Sequence, residues 1–227
     1  VKVSRIDSQG RVELADGTAL RAPVLIGADG PRSHAGSAIG SVNTALVETR
    51  QITVPLKTPQ AATDIFLSAE IPGGYGWLFP KGEVAHLGAG VSPRYRSRLK
   101  GIVAKLHSSQ KERLSAEILA VTGGAIPVGG MIKPWGFLEK TLVLLAGDAA
   151  GLANPVSGAG IAAAVHSGRL AGEAAATGKA AEYEEELHDV FGAALERALR
   201  RRRELMEKTP TKAALRRGWI AYPEYWQ

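Results

Sequence analysis

The segment at residues 142–161 constrains the fold more than any other part of the sequence. It opens with an apolar run, residues 142–146, which is bounded by turn residues and is typical of a buried parallel strand. Gly147 and Asp148 follow, then a loop rich in Gly, Asn, Pro and Ser, and then an alanine-rich helix predicted over residues 159–176. With such a strand, acidic turn, glycine-rich loop and helix start, an α/β fold holds a polar cofactor at the carboxyl end of its sheet.

A second segment of the same kind lies upstream, at residues 23–33. A buried strand is predicted over residues 24–28, and it ends in the sequence Gly-Ala-Asp-Gly with Asp29 at the turn. Asp-Gly is foremost a turn signal, so Asp29 has two interpretations, a strand-end turn residue or a cofactor contact.

Together, the Ala-Asp-Gly segment at residues 28–30 and the Gly-Asp pair at residues 147–148 resemble the paired motifs of a flavoprotein superfamily. This superfamily contains the aromatic hydroxylases and the geranylgeranyl reductases. The resemblance implies FAD as the cofactor, with Gly147 and Asp148 at its ribityl chain. It implies that Asp29 lies near the pyrophosphate and near a nicotinamide donor. NAD(P)H or another electron donor is expected to reduce the flavin.

The loop after Asp148 supplies the remaining predicted cofactor contacts, which are Pro155, Gly158, Ala159, Gly160 and Ile161. Small residues let the backbone approach a flat ring, and the N–H groups of Gly160 and Ile161 are expected at its pyrimidine edge. A helix N-terminus there would stabilise the negative charge of a reduced flavin. The structural alternatives are a turn aspartate bonded to its own backbone and a plain helix entry capped by Ser157.

The segment Tyr75-Gly-Trp77-Leu-Phe79-Pro-Lys resembles the Tyr-x-Trp-x-Phe-Pro segment of the geranylgeranyl reductase family. The segment at residues 166–172 resembles the Ser-Gly-x-x-Ala pattern of the same family. Alternation along a strand places Tyr75, Trp77 and Phe79 on one face, either in the core or lining a substrate pocket. Gly151 stands where aromatic hydroxylases tend to have a histidine, which favours the reductase branch.

The resemblance implies an FAD-dependent reductase that hydrogenates C=C bonds of an isoprenoid chain or a related lipid-like substrate. No residue is assigned a catalytic role. Two alternatives remain open, a flavin-dependent monooxygenase or halogenase and a non-enzymatic remnant that binds no FAD alone. The superfamily begins with a Gly-x-Gly-x-x-Gly unit, whereas this chain opens with an extended segment at residues 1–7. An N-terminal fragment of about a hundred residues is therefore expected to be missing.

The predicted fold class is α/β (α+β), with an incomplete Rossmann-like FAD-binding domain at residues 1–35 and 138–178. An antiparallel-sheet substrate domain, residues 36–137, is expected to interrupt it, and a C-terminal helical segment occupies residues 179–227. Apolar patterning predicts the following elements. Short strands and turns over residues 1–30 form a meander, further strands lie at 44–54, 65–71, 75–80 and 84–91, and helices lie at 96–107, 111–121 and 180 to about 208.

Composition and the distribution of charge limit the classes of partner that this chain is expected to have. The net charge of +6 is concentrated near the C-terminus, in Arg197, Arg200–Arg203, Lys208, Lys212, Arg216 and Arg217. These residues predict a solvated helix face, with a membrane surface or a diphosphate-bearing substrate as the functional alternatives. No aromatic-interleaved basic strand accompanies them, so nucleic acid is not expected as a partner.

No apolar run approaches about 20 residues, so a cytoplasmic location with peripheral membrane contact is expected. The sequence has no cysteine, and its histidines show no metal-binding spacing, so no metal is expected.

Overall fold

The computed structural model describes residues 2–207, which contain eleven strands and five α-helices. The strands are β1 (Val3–Ile6), β2 (Val12–Leu14), β3 (Ala19–Leu20), β4 (Val24–Gly27), β5 (Leu46–Pro55), β6 (Asp64–Phe66), β7 (Gly76–Lys81), β8 (Val84–Val91), β9 (Ala120–Pro127), β10 (Trp135–Leu138) and β11 (Thr141–Leu145). The α-helices are α1 (His34–Ala38), α2 (Leu99–Ser109), α3 (Ile161–Thr177), α4 (Ala180–Leu187) and α5 (Ala193–Glu207). Two 3₁₀ turns, Pro93–Arg98 and Gly147–Ala150, and a π-helical turn, His188–Gly192, complete the described elements.

The chain divides into two compact units. Among the described residues, the first unit contains residues 2–45 and 127–200, and the second contains residues 46–126 and 201–207. Residues 36–45 and 127–137 thus lie in the first unit. The functional division predicted from the sequence, with boundaries at residues 36 and 137 and a separate segment from residue 179, stays a prediction.

The first unit holds two three-stranded sheets. One is an antiparallel meander in the order β1-β2-β3, which confirms the meander predicted for the first thirty residues. The other has the order β10-β11-β4, in which β11 pairs antiparallel with β10 and parallel with β4. Every residue of β11 is buried, and its core includes Leu170 and Ala171 of α3 and Tyr183 of α4. A strand buried on both faces needs a continuous apolar run, and that run made β11 recognisable.

The second unit is a five-stranded sheet in the order β6-β7-β8-β5-β9, with α2 packed against it. Strands β5, β7 and β8 pair antiparallel, as do β6 and β7, which confirms the antiparallel prediction for these strands. Leu99 and Val103 of α2 share a buried cluster with Leu78 of β7 and Leu87 of β8. The mixed α/β class with helices toward the C-terminal end is confirmed.

The helix predicted over residues 111–121 is wrong. Leu114 is buried, but it lies in an isolated antiparallel bridge with Leu56, and the Leu119 N–H donates to the Thr53 carbonyl at 2.9 Å. Ile118 is 49% exposed, so the spacing that suggested an apolar stripe does not bury one. Extended pairing beside β5 satisfies this backbone, and β9 continues it.

The long C-terminal helix predicted from residue 180 is confirmed as α4, the π-helical turn and α5. The prediction that it ends near Lys208 falls at the limit of the structure, and the basic residues Lys208, Lys212, Arg216 and Arg217 lie outside the described residues. The aromatic segment at residues 219–226 lies outside them as well. Within residues 2–207, no helix combines the length and the apolar character needed to cross a membrane.

The core of the second unit gives a first prediction. Leu78 is 0% exposed, and Leu78→Ala is expected to lower the free energy of unfolding by about 2–5 kcal/mol because it removes buried methyl groups and leaves a cavity. Urea unfolding measures the change. Leu20→Ala is the matched control, because Leu20 is 53% exposed and its truncation should leave stability nearly unchanged. Equal losses in both variants would contradict the burial assigned to Leu78.

Candidate functional site

Parallel pairing of β4 with β11 brings the Ala-Asp-Gly segment at residues 28–30 and the Gly-Asp pair at residues 147–148 to the same edge of the β10-β11-β4 sheet. Leu145 at the end of β11 pairs with Gly27 at the end of β4, and the Ala146 N–H donates to the Gly27 carbonyl at 3.0 Å. The chain then enters the loop of Asp29 after β4 and the loop of Asp148 after β11. Because both strands end at one level, both loops begin there, as the sequence predicts for a cofactor site in an α/β fold.

Asp29 is occupied locally. Its Oδ1 accepts a hydrogen bond from the Ser33 hydroxyl at 2.5 Å, and its Oδ2 accepts one from the His34 N–H at 2.6 Å. Ser33 is the N-cap of α1, and its hydroxyl accepts from the Gly36 N–H at 2.8 Å. These bonds are those of a strand-end residue that ties down the next helix, which favours the structural interpretation. A contact between Asp29 and a cofactor stays a prediction.

Asp148 is different, because its carboxylate accepts no hydrogen bond from any residue in the part of the chain that the structure describes. It lies in the 3₁₀ turn after β11, and burial raises the pKa of its carboxyl above the ordinary value. A Cβ built on Gly160 would lie 3.1 Å from Asp148 Oδ1, so the carboxylate lies beside the start of α3. A turn aspartate bonded to its own backbone, the structural alternative, is not what the geometry supports.

The loop between Asp148 and α3 is held mainly by Asn154. The Asn154 Oδ1 accepts from the N–H groups of Val156 and Ser157, both at 3.0 Å, and the Asn154 N–H donates to the Ala159 carbonyl at 2.8 Å. The N-cap of α3 is Gly160, with no side-chain cap bond, so the alternative in which Ser157 caps this helix is wrong. The Ser157 hydroxyl instead accepts from the Ala159 N–H at 3.3 Å.

The other predicted cofactor contacts lie on or beside this loop. Pro155 is buried, Gly158 adopts a φ of 71°, and the Ile161 side chain is 85% exposed at the first turn of α3. The Ala164 N–H makes a 2.8 Å bond to the Gly160 carbonyl, as the first turn of a helix closes. The N–H groups before Ala164 have no carbonyl of their own helix to bond, which is the general condition of a helix start.

Ser167 supports the Gly-Asp turn from α3, and sequence reasoning did not assign it this role. It is 0% exposed, its hydroxyl accepts from the Gly147 N–H at 2.9 Å, and it donates to the Ala163 carbonyl at 2.6 Å. Gly147 has a φ of 59°, a left-handed conformation that glycine adopts most easily. The Ser-Gly-x-x-Ala pattern was the available signal, because its serine is the residue that makes this bond.

Asn43 is a second residue that the sequence did not reveal. It is 8% exposed, and its Nδ2 lies 2.9 Å from the Asp148 carbonyl and 3.3 Å from the Pro31 carbonyl. These carbonyls belong to the two loops at the edge of the sheet. A lone asparagine between α1 and β5 gives no periodic or motif signal.

The predicted substrate residues share one face of the second unit's sheet. The Tyr75 and Trp77 rings are 5.8 Å apart edge to face, and the Trp77 and Phe79 rings are 6.0 Å apart and stacked. Leu78 and the buried cluster it joins with α2 lie on the opposite face. The aromatic row therefore lies outside the helix-covered core, and its role in substrate binding stays a prediction.

Trp77 is fixed in position. It is 8% exposed, its Nε1–H donates to Gln51 Oε1 at 3.0 Å, and its ring lies over Gly88, where a Cβ would come within 2.5 Å of the indole. Burial raises the pKa of Tyr75 to about 12. Just before Tyr75, the Gly73 carbonyl accepts from the Arg202 guanidinium at 3.1 Å.

The fold matches that of a crystal structure of a geranylgeranyl bacteriochlorophyll reductase-like protein from Thermoplasma acidophilum. The TM-score is 0.71 with 23% sequence identity, and the match covers 99% of this chain and 66% of that one. This comparison identifies the fold class as an α/β fold shared with that reductase-like protein. The match includes both the β10-β11-β4 sheet of the first unit and the five-stranded sheet of the second.

Sequence comparison identifies a narrower group of relatives than the fold does. Digeranylgeranylglycerophospholipid reductases of Methanosarcina mazei and Methanosarcina acetivorans are 37% and 34% identical to the chain over 175 and 169 residues. Each alignment covers 69% of this chain and 40% of the relative, so the chain spans about two fifths of the length of these relatives. No family model matches the sequence. The chain is thus homologous to geranylgeranyl reductases over part of their length, which confirms the resemblance drawn from its motifs.

The bond between Ser167 and Gly147 gives a second prediction. Ser167→Ala leaves the buried Gly147 N–H without its acceptor and is expected to lower the free energy of unfolding by about 1–3 kcal/mol. Chemical denaturation measures the loss. Ser109→Ala is the control, because the Ser109 hydroxyl also donates within its own helix, to the Leu106 carbonyl, but at an exposed site. A loss at Ser167 no larger than that at Ser109 would show that the Gly147 bond adds nothing.

Asp148 gives a prediction about pH. Because burial raises the folded-state pKa, the ionised carboxylate destabilises the folded state, and this penalty disappears as the pH falls through the raised pKa toward the ordinary 3.8. Asp148→Asn is therefore expected to be more stable than the wild type at neutral pH, with the difference vanishing in acid. Denaturant titrations at a series of pH values measure it.

The control for this experiment has the opposite sign. The Asp16 carboxylate accepts from the Thr18 N–H at 2.9 Å, and that bond lowers the pKa of Asp16. Asp16→Asn should lower stability at neutral pH. If Asp148→Asn also lowered it, the Asp148 carboxylate would have a stabilising partner, contrary to the geometry.

Proposed function

We propose that this chain forms part of an FAD-dependent reductase that hydrogenates C=C bonds of an isoprenoid chain of the geranylgeranyl type. The observation that carries the proposal is the 34–37% identity with proteins named digeranylgeranylglycerophospholipid reductase. The loops that follow β4 and β11 in the β10-β11-β4 sheet, with Asp148 foremost among their residues, are proposed to hold the cofactor. The aromatic row of the second unit is proposed to bind the substrate chain.

The geometry around Asp148 supports the cofactor part of the proposal. The carboxylate is half-buried, lacks a protein donor within residues 2–207, and keeps a raised pKa, as expected of an acceptor meant for ligand hydroxyl groups. Gly160 places the start of α3 beside it without a side chain between them. The ribityl hydroxyls of FAD suit the first feature, and an electron-rich ring edge suits the second. When bound, FAD supplies the hydride for alkene reduction.

The aromatic row supports the substrate part. Tyr75, Trp77 and Phe79 form a continuous ring surface on the sheet face away from α2. An isoprenoid chain needs an extended apolar surface, and the half-buried rings of Tyr75 and Phe79 are proposed to provide it, held in position by the buried indole of Trp77 between them. Isolated alkenes are poor hydride acceptors, so holding the substrate chain in one fixed orientation is proposed as the main contribution of these residues. The proton donor stays unassigned, and NAD(P)H or another electron donor stays a prediction.

We further propose that a dinucleotide-binding unit from residues outside this chain completes the site. Strand β4 lies at the end of its sheet, with β11 on one side and no other described strand on the second. Ile26 of β4 is 44% exposed, and Val165 at the start of α3 is 71% exposed, so apolar side chains flank the proposed cofactor site. A further unit there would pair the open strand edge and cover these side chains.

Peripheral membrane contact from the cytoplasmic side belongs to the same proposal. Arg94 and Arg98 are exposed, and their guanidinium groups lie 4.8 Å and 5.5 Å from the centre of the Tyr95 ring. Exposed cations beside an aromatic ring suit an anionic lipid surface. Co-sedimentation with anionic vesicles, absent with neutral ones, is the expected behaviour.

FAD binding and alkene reduction test the proposed function directly. Titration with FAD is expected to give a bound flavin absorbing near ~450 nm, and anaerobic incubation with a reductant and a geranylgeranyl lipid should add two hydrogens per double bond. Oxygenated or halogenated products would overturn the proposal in favour of a monooxygenase or halogenase. Absence of flavin binding, both here and in a chain extended to the length of the relatives, would mark a non-enzymatic remnant.

Trp77 gives a prediction for the substrate surface. Trp77→Ala removes the ring that holds Tyr75 and Phe79 in one row, so we expect KM for the isoprenoid substrate to rise by up to about tenfold. Because Trp77 is 8% exposed, the free energy of unfolding should also fall, by about 3–5 kcal/mol, and KM is measured under conditions in which the variant is folded. FAD affinity should remain unchanged, because the substitution alters none of the proposed cofactor contacts. Phe137→Ala is the control, since Phe137 is an aromatic residue that is 57% exposed on β10. A parallel loss of FAD binding in Trp77→Ala would contradict this assignment.

A further inference from the structure

The Asn43 side chain reaches both loops that follow β4 and β11. Its Nδ2 lies 2.9 Å from the Asp148 carbonyl, 3.3 Å from the Pro31 carbonyl and 3.4 Å from the Ala149 carbonyl. An amide carries two N–H donors on one nitrogen. Asn43 can therefore donate to Pro31 in one loop and to Asp148 or Ala149 in the other at the same time.

Burial makes these bonds consequential. Asn43 is 8% exposed, and its contact with the Ala149 carbonyl is buried, whereas those with the Pro31 and Asp148 carbonyls are partly buried. A buried carbonyl that loses its donor keeps the cost of desolvation and gains nothing in return. The Asn43 amide thus connects, by hydrogen bonds, two loops that lie more than a hundred residues apart in the sequence.

The main chain at Gly151 packs closely against the acceptor end of the Asn43 side chain. A Cβ built on Gly151 would lie 2.9 Å from Asn43 Oδ1 and 2.3 Å from the Gly130 carbonyl oxygen. Gly151 adopts a φ of 75°, so its backbone passes close to the amide where a side chain would be excluded. The acceptor end of Asn43 therefore lies against backbone while its donor end holds the two loops.

We propose that Asn43 is a positioning residue that sets the separation of the Asp29 loop, residues 28–33, from the Asp148 loop, residues 147–153. It acts through the main chain of Asp148, whose carboxylate is proposed to meet the cofactor. Loss of the amide would let the two loops move independently and weaken FAD binding. The effect on FAD rests on the proposed function, whereas the link between the loops does not.

Two variants and one control test this role in the full chain. Asn43→Asp keeps the shape but places a carboxylate oxygen against the carbonyl groups that the amide served. Asn43→Ala removes the bonds without adding charge and serves where Asn43→Asp fails to fold. Thr141→Val is the matched control, because Thr141 is 9% exposed and its hydroxyl donates to the Ala22 carbonyl at 3.2 Å, at the other end of β11.

Amide hydrogen exchange without FAD measures the link itself. The Gly151 and Leu152 N–H groups report on the Asp148 loop, since they donate to the Asp148 and Gly147 carbonyls. The His34 and Gly36 N–H groups report on the Asp29 loop, since they donate to Asp29 and Ser33 side chains. Exchange at all four is expected to rise about tenfold or more in the Asn43 variants, and to change in Thr141→Val only with overall stability.

FAD titration measures the consequence for the cofactor. The Asn43 variants are expected to raise the FAD Kd by about tenfold and to alter the visible circular dichroism of flavin bound at saturation. Thr141→Val should do neither. Faster exchange confined to one loop, or spread evenly over the unit, would overturn the role of Asn43. A wild type that binds no FAD, either as this chain or extended to the length of its relatives, would overturn the proposed function instead, while the exchange data still decide whether Asn43 links the loops.

Discussion

The parallel pairing of β4 with β11 is the contact on which the rest of the first unit depends. It aligns Gly27 with Leu145, so the chain leaves both strands at one level and enters both loops there. A one-residue slip would turn every side chain of β11 to the other face, and all five residues of that strand are buried. The pairing of Gly27 with Leu145 therefore determines where the loops of Asp29 and Asp148 begin, although neither aspartate takes part in the core.

The two loops are held by different means. The Asp29 carboxylate bonds the start of α1, whereas the Asp148 carboxylate accepts no hydrogen bond within residues 2–207. The Asp148 turn is instead supported through its main chain, by Ser167 at Gly147 and by Asn43 at the Asp148 carbonyl. Buried side chains thus provide the rigidity, and the acidic group itself stays half-buried with a raised pKa. A site prepared for a ligand commonly has this division, in which stability is given up at the group that binds.

Sequence reasoning succeeded where a local pattern has one physical explanation. The continuous apolar run of β11 and the β-branched residues of β8, set off by Pro and Gly, led to predicted strands at 142–146 and 84–91, and the structure has them at Thr141–Leu145 and Val84–Val91. The helical spacing around Leu114 failed, because a long-range bridge to Leu56 decides that segment and leaves no local trace. The contributions of Asn43 and Ser167 depend likewise on partners distant in sequence. Spacing alone could not have assigned them.

Trp77 and Gly88 face each other across β7 and β8, and the indole occupies the space that a side chain at position 88 would need. The Arg50 carbonyl oxygen of β5 closes the same space, because a Cβ at position 88 would lie 2.8 Å from it. A smaller ring at position 77 would therefore not make room for a side chain at position 88. The flat sheet surface on which the indole lies is thus set by the main-chain spacing of β5 and β8 as much as by the tryptophan.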